Sequence, residues 1–245
     1  MFNNFYLDNR ILYVLLAVLV IMSLMGMTQD SLLGIVLTLP GVIIAITFHE
    51  YAHAFMADRL GDSTPRMQGR LTLNPMKHLD PFGIILLVFA HIGWGKPVQI
   101  NPRNFNSNVT LAKAEALVSL AGPVMNFIIA IVLTIVYFFI QRFAPTFFLT
   151  QIGIIVYLLL SSTIAVNIGL GVFNLIPLPP LDGSKIFKNI LPYKARYWLE
   201  SNERILYIIF LVLWITGLLG YIVSPVIDGI SSGLYWIIAK IFGFI

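Results

Sequence analysis

Apolar residues in this chain come in long runs rather than in short alternations. Runs at residues 11–27, 32–57, 114–140, 152–173 and 205–223 each have the length, roughly 17 residues or more, that a helix needs to cross a bilayer core. Residues 82–92 are as apolar but too short to span, and predict a re-entrant or half-membrane segment. A last stretch, 230–245, is interrupted by Gly233, Lys240 and Gly243 and fits either a short span or an interfacial helix. Polar and apolar residues alternate at 70–74 after Gly69, a pattern that fits the edge of a small β-hairpin and equally a surface loop. The predicted fold class is therefore an all-α polytopic membrane protein with about five to six transmembrane helices. No repeat or low-complexity segment interrupts it.

Composition agrees. Charged residues make up 11% of the 245 positions, against roughly 25% in soluble domains, and mean hydropathy is +0.89. The longest stretch without a convincing span runs only from Arg59 to Lys113, which leaves no room for a large soluble domain. The whole of 1–245 is expected to form a single membrane-embedded domain. With no cysteine, disulfides and thiolate metal sites are excluded. Residues 1–10 are polar and aromatic and no small-residue cleavage site follows, so 11–27 is expected to be a retained span rather than a signal peptide.

A net charge of +4 points here to topology and not to nucleic acid. All basic residues except Arg142 and Lys240 fall before the first run, between the second and third, or just after the 152–173 run. Cationic loops stay in the cytoplasm, so the N-terminus and the Arg59–Lys113 region are expected there, with 82–92 not crossing.

The chemistry begins with His49-Glu50-Tyr51-Ala52-His53, inside the second run. Histidines at i and i+4 share a helix face, so both imidazoles can reach one Zn²⁺, and the intervening glutamate can serve as general base. Three ionisable side chains within five positions are costly at membrane depth and point to function. A catalytic zinc usually takes three protein ligands. Among the 11 acidic residues, Asp182 alone ends a long apolar segment in a way that suggests burial, in Asn174-Leu-Ile-Pro-Leu-Pro-Pro-Leu-Asp182-Gly183. Its prolines break the helix, and non-helical backbone at membrane depth must be buried or line a cavity. A plain helix end with Asp182 in solvent is the alternative. Counted from Gly34, His49 lies about 22 Å along its helix, in the cytoplasmic half, level with Asp182.

Three motifs in order, Phe48-His-Glu-Tyr-Ala-His53-Ala, Ala121-Gly-Pro-Val-Met-Asn126 and Asn174 through Asp182-Gly183, resemble those of the site-2 protease family of intramembrane zinc metalloproteases. The resemblance covers about residues 35–190 as a core, with 191–245 as C-terminal helices. It implies one zinc per chain, held by His49, His53 and Asp182, with Glu50 as catalytic base. It also implies cleavage of peptide bonds in or near transmembrane segments of other proteins in the bilayer. Asn126 and Asn174 match motif residues near the active site, and an asparagine amide can donate to an oxyanion or bind substrate. Without a PDZ or CBS domain, the chain looks like the compact subgroup found in bacterial or archaeal plasma membranes.

Three rival readings use the same residues: a zinc hydrolase acting on a lipid amide, a metal transporter, and an inactive scaffold. Transport favours polar groups spread through the membrane, whereas these cluster at one depth. His78 is expected to be a local hydrogen-bond partner. His91, beside Gly93-Trp94-Gly95-Lys96, is expected at the interface.

Overall fold

The computed structural model of the protein describes residues 29–81, 83–84 and 95–244. The expected span at 11–27, His91 and nearly all of the expected half-membrane segment at 82–92 lie outside the described residues. Eight helices follow: α1 (Gln29–Arg59), α2 (Thr64–Met67), α3 (Leu111–Phe143), α4 (Gln151–Asn174), α5 (Asp182–Ile190), α6 (Tyr193–Ser201), α7 (Glu203–Ile215) and α8 (Leu218–Ile241). Four of them, α1, α3, α4 and α8, are long and apolar enough to cross a membrane. The all-α polytopic class is the one observed.

Side-chain chemistry sets the helix ends. Thr110 and Thr150 cap α3 and α4, accepting the backbone N–H groups of Lys113 and Gly153, each cap contributing about 1 kcal/mol. The prolines after Asn174 stop α4, and three turns of irregular backbone bonds lead through Leu181 into α5.

Helices α1, α3 and α4 pack pairwise against one another. On α1 the buried positions include Val42, Ala45, Ile46, His49, Ala52, His53 and Ala57, a stripe at helical spacing. The facing stripe of α3 is built from Ser119, Gly122, Asn126 and Ala130, small or short side chains that let helices approach closely in a membrane. A second core gathers Ala130, Ile164, Ile168, Val172, Leu181, Phe210, Leu219 and Val223. It joins α7 and α8 to α3 and α4 and clamps the backbone just before Asp182.

Three expectations are corrected. The run at 205–223 is not one span: α7 ends at Ile215, and Gly217, in the left-handed region at φ 74°, turns the chain before α8 starts. Residues 230–245 are neither a separate short span nor an interfacial helix, because α8 continues unbroken from Leu218 to Ile241. The alternating residues 70–74 do not form a strand; no strand occurs among the described residues. Arg70 is drawn inward, where its guanidinium donates to the carbonyls of Lys77 and Lys96. Asn74 caps the turn Pro75–Lys77. Among the described residues, pairing here is one antiparallel bridge between Leu79 and Gly95.

Candidate active site

The i, i+4 spacing on α1 stacks His49 above His53, both buried. Asp182, the first residue of α5, comes in from the far end of the α4–α5 connection. Its Oδ2 lies 3.1 Å from His49 Nε2 and 3.1 Å from His53 Nε2, and the two Nε2 atoms are 3.0 Å apart. Residues 133 positions apart in sequence thus present three donor atoms within 4.8 Å of one another.

The other ring nitrogens fix what these atoms are. His49 Nδ1–H donates to Asn126 Oδ1 at 2.7 Å, and His53 Nδ1–H donates to the Val118 carbonyl at 2.7 Å. The polarity of Asn126 is itself set, since its Nδ2 donates to Ala45 O and Asn167 Oδ1, both at 3.1 Å. Asn167 Nδ2 donates in turn to Thr163 O at 2.8 Å. With Nδ1 of His49 turned to Asn126 and Nδ1 of His53 to Val118, both Nε2 atoms and a carboxylate oxygen of Asp182 face one point. A cation there would take all three as ligands in place of the Nε2 protons.

The size of the triangle also fits zinc. Bonds of about 2.0–2.1 Å to tetrahedral donors place those donors about 3.3–3.4 Å apart, a few tenths more than the observed edges. The third side of the site is bare backbone. A Cβ added at Gly122 would stand 2.5 Å from His53 Nε2 and 2.7 Å from His49 Nε2. Glycine is therefore the residue that lets α3 close over the histidine pair. Pro123, next along α3, lacks the N–H that would otherwise reach the Ser119 carbonyl.

Glu50 is half-buried, and its Oε2 accepts the backbone N–H of Val98 at 3.0 Å. Arg70 is buried. Burial pulls its pKa below the usual guanidinium value, opposed by the negative charge of Glu50. His78 is buried as well; burial lowers its pKa, the Thr72 carbonyl opposes this, and the Arg70 charge lowers it further. The neutral ring donates Nε2–H to Thr72 O at 2.6 Å, and so serves locally. Asp62 is fully buried. Burial would raise its pKa, but bonds from Thr64, Asn101 and Asn104 outweigh that and hold it below the ordinary carboxylate value.

Of the site residues named from sequence, His49, His53, Asp182 and Asn126 meet directly. Asn126 has both amide hydrogens engaged, which leaves none to offer an oxyanion. Asn174 donates to Leu170 O in its own helix at 3.0 Å. Sequence reasoning missed Asn167, whose signal was an amide inside the apolar run 152–173. It also missed the Val98 N–H and Val118 carbonyl, which no side-chain pattern could reveal.

Comparison with known proteins agrees with this geometry. The profile described as "Peptidase family M50" matches residues 37–150 and 147–217. "Putative zinc metalloprotease YwhC" of Bacillus subtilis is 38% identical over 205 residues, covering 82% of this chain and 90% of that protein. "Putative zinc metalloprotease Rip2" of Mycolicibacterium smegmatis is 30% identical over 184 residues, 74% of this chain and 67% of that protein. A shorter match, 41% over 91 residues, is to "Zinc metalloprotease MJ0392" of Methanocaldococcus jannaschii, covering 37% of this chain and 24% of that protein. No solved structure matches. With the profile spanning well over half the sequence and two histidines and an aspartate so grouped that they could hold a metal ion, the chain belongs to peptidase family M50, the site-2 protease-like zinc metalloproteases.

Proposed function

We propose that this metalloprotease is an intramembrane endopeptidase that hydrolyses peptide bonds in or near transmembrane segments of other membrane proteins. The observation that carries the reading is the acceptor triangle of His49, His53 and Asp182, set on and between helices long and apolar enough to span a bilayer. One zinc per chain would be held by those three residues. When bound, zinc supplies Lewis acidity that acidifies water and polarises a scissile carbonyl.

The rest of the work belongs to the chain. Asn126 and Val118 keep His49 and His53 in the Nδ1–H tautomer, with Asn167 supporting Asn126. Glu50 takes a proton from the attacking water and passes it to the leaving amine, with one carboxylate oxygen steadied by Val98. Asn174 keeps one amide hydrogen available for substrate. Packing of α1 against α3 and α4 keeps bulk water from the histidines. We further infer a single domain over 1–245 with its core at about 35–190, lodged in the plasma membrane of a bacterium or archaeon. The distribution of basic loops supports a cytoplasmic N-terminus and an active site toward the cytoplasm.

The test compares wild type with Glu50→Gln in proteoliposomes containing single-span membrane proteins, with products mapped by mass spectrometry. Glu50→Gln should retain zinc and helicity while its cleavage rate falls about 10²–10⁴-fold, the usual contribution of a general base. Equal cleavage by both proteins would remove Glu50 from that role. Hydrolysis of a lipid amide but of no membrane polypeptide would reassign the substrate.

A further inference from the structure

Between the bridge at Gly95 and the turn Pro102–Asn104, the chain runs as an irregular strap across the C-terminal end of α1. Its bonds are few and specific. Lys96 N–H donates to His78 O at 2.7 Å, and the Lys96 carbonyl accepts from Arg70. Val98 N–H donates to Glu50 Oε2. Asn101 N–H donates to Asp62 Oδ2 at 2.6 Å, and Asn104 Nδ2 donates to Asp62 Oδ1 at 3.0 Å. Asn106 N–H donates to Leu60 O at 2.8 Å. The contact with Glu50 therefore lies between two buried charged side chains, each spending its hydrogen bonds on fixing the strap and its neighbours.

Arg70 is the less expected of the two. A buried guanidinium normally faces a carboxylate, yet this one donates to two backbone carbonyls, Lys77 O and Lys96 O. Those carbonyls lie on the two arms that flank residues 79–95. The planar fork of arginine can bridge two acceptors in fixed positions, which the single ammonium of lysine cannot.

We propose that Arg70 and Asp62 are positioning residues that staple the 95–104 strap at either side of Val98, and so fix the orientation of the Glu50 carboxylate. Neither residue touches the histidine pair or Asp182. Their action passes through the strap backbone to Val98 N–H and from there to Glu50. This rests on the reading of Glu50 as base. A displacement of about 1 Å in a catalytic group costs about 10²-fold in rate, so loosening the strap is expected to act on kcat.

Three variants of the full-length protein in proteoliposomes test the proposal: Arg70→Gln, Arg70→Lys and Asp62→Asn. Asp62→Asn must turn an N–H toward one of the donors that Asp62 now accepts. Hydrogen exchange of the 96–101 amides needs no substrate and should speed at least tenfold in all three. Zinc per chain should stay at the wild-type value. On the single-span protein cleaved in the Glu50 comparison, kcat should fall about 10²-fold, with KM within about twofold. Arg70→Lys should resemble Arg70→Gln, because the fork and not the charge does the stapling.

Wild-type exchange in Arg70→Gln and Asp62→Asn would overturn the proposal. So would unchanged kcat with exchange raised, a loss of zinc that parallels the loss of rate, or an Arg70→Lys protein that behaves as wild type. If Arg70→Gln fails to insert, Asp62→Asn carries the same test from the far anchor. An active Glu50→Gln protein would sink the base assignment. Unchanged strap exchange would sink the staple while leaving that assignment intact.

Discussion

Gly122→Ala adds one methyl group to the chain and should empty the metal site without unfolding the protein. In an α-helix interior alanine is favoured over glycine by roughly 0.5–1 kcal/mol. The new Cβ, however, would stand 2.5 Å from His53 Nε2, 2.6 Å from His49 Cε1 and 2.7 Å from His49 Nε2. Ordinary contact between such atoms needs about 3.5 Å, so the rings must retreat by about 0.8–1 Å. Overpacking of this kind costs about 1–3 kcal/mol, which leaves a net destabilisation of at most about 2.5 kcal/mol. Zinc is less tolerant, because its ligand distances must hold to within about 0.2 Å. Its affinity should fall at least about 10²-fold, the upper end of what losing one supporting hydrogen bond costs. Elemental analysis gives zinc per chain, chelator competition gives affinity, and thermal unfolding in detergent gives stability. Gly220→Ala is the control: a Cβ there meets nothing within 4 Å, so zinc should stay at wild type. Wild-type zinc affinity in Gly122→Ala would refute the placement of α3 over the histidines.

Asp62 should make the strap sensitive to acid. Its folded pKa is depressed, so its contribution is present above the unfolded value of about 3.9 and is lost as pH falls through the folded value. The difference in exchange at 96–101 between wild type and Asp62→Asn should be constant from about pH 7 to 5 and shrink below about 4; a difference that grows in acid would contradict this. Arg103→Cys, in a chain with no native cysteine, should react with an impermeant maleimide from the cytoplasmic side only, and strong labelling from outside would reverse the topology.

What could be read from the sequence follows the range of the interactions. Long apolar runs predict spans because a bilayer demands length and apolarity, whatever the tertiary packing. The breakdown of 205–223 into α7 and α8 needed the conformation of Gly217, and composition cannot supply that. His49 and His53 were legible because helical periodicity alone puts them on one face, and Glu50 because an acid beside such a pair is costly at membrane depth. Asp182 was legible for a different reason: prolines mark a break in the helix, and an acid at such a break needs a partner. Asn126 was found as a motif residue, yet its duty was not, because that depends on Ala45 O and Asn167 settling which end of its amide faces His49.

Residues 70–74 show why a pattern of period two is weak evidence. Alternation records which side chains are apolar, while a strand also needs a partner backbone in register. Here Arg70 supplies a competing set of bonds. Its guanidinium takes the carbonyls of Lys77 and Lys96 and His78 takes that of Thr72, so side chains rather than a ladder hold the described backbone here. The same substitution of side chain for backbone recurs at Asp62 and at Glu50, each of which accepts an N–H from the strap. The two buried anchors of this loop, Arg70 and Asp62, give almost no sequence signal, since each looks like an ordinary polar residue in a polar loop. Glu50, on α1 yet bonded to Val98, therefore sits at the join between the part of the site that helical spacing dictates and the part that only long-range contacts determine.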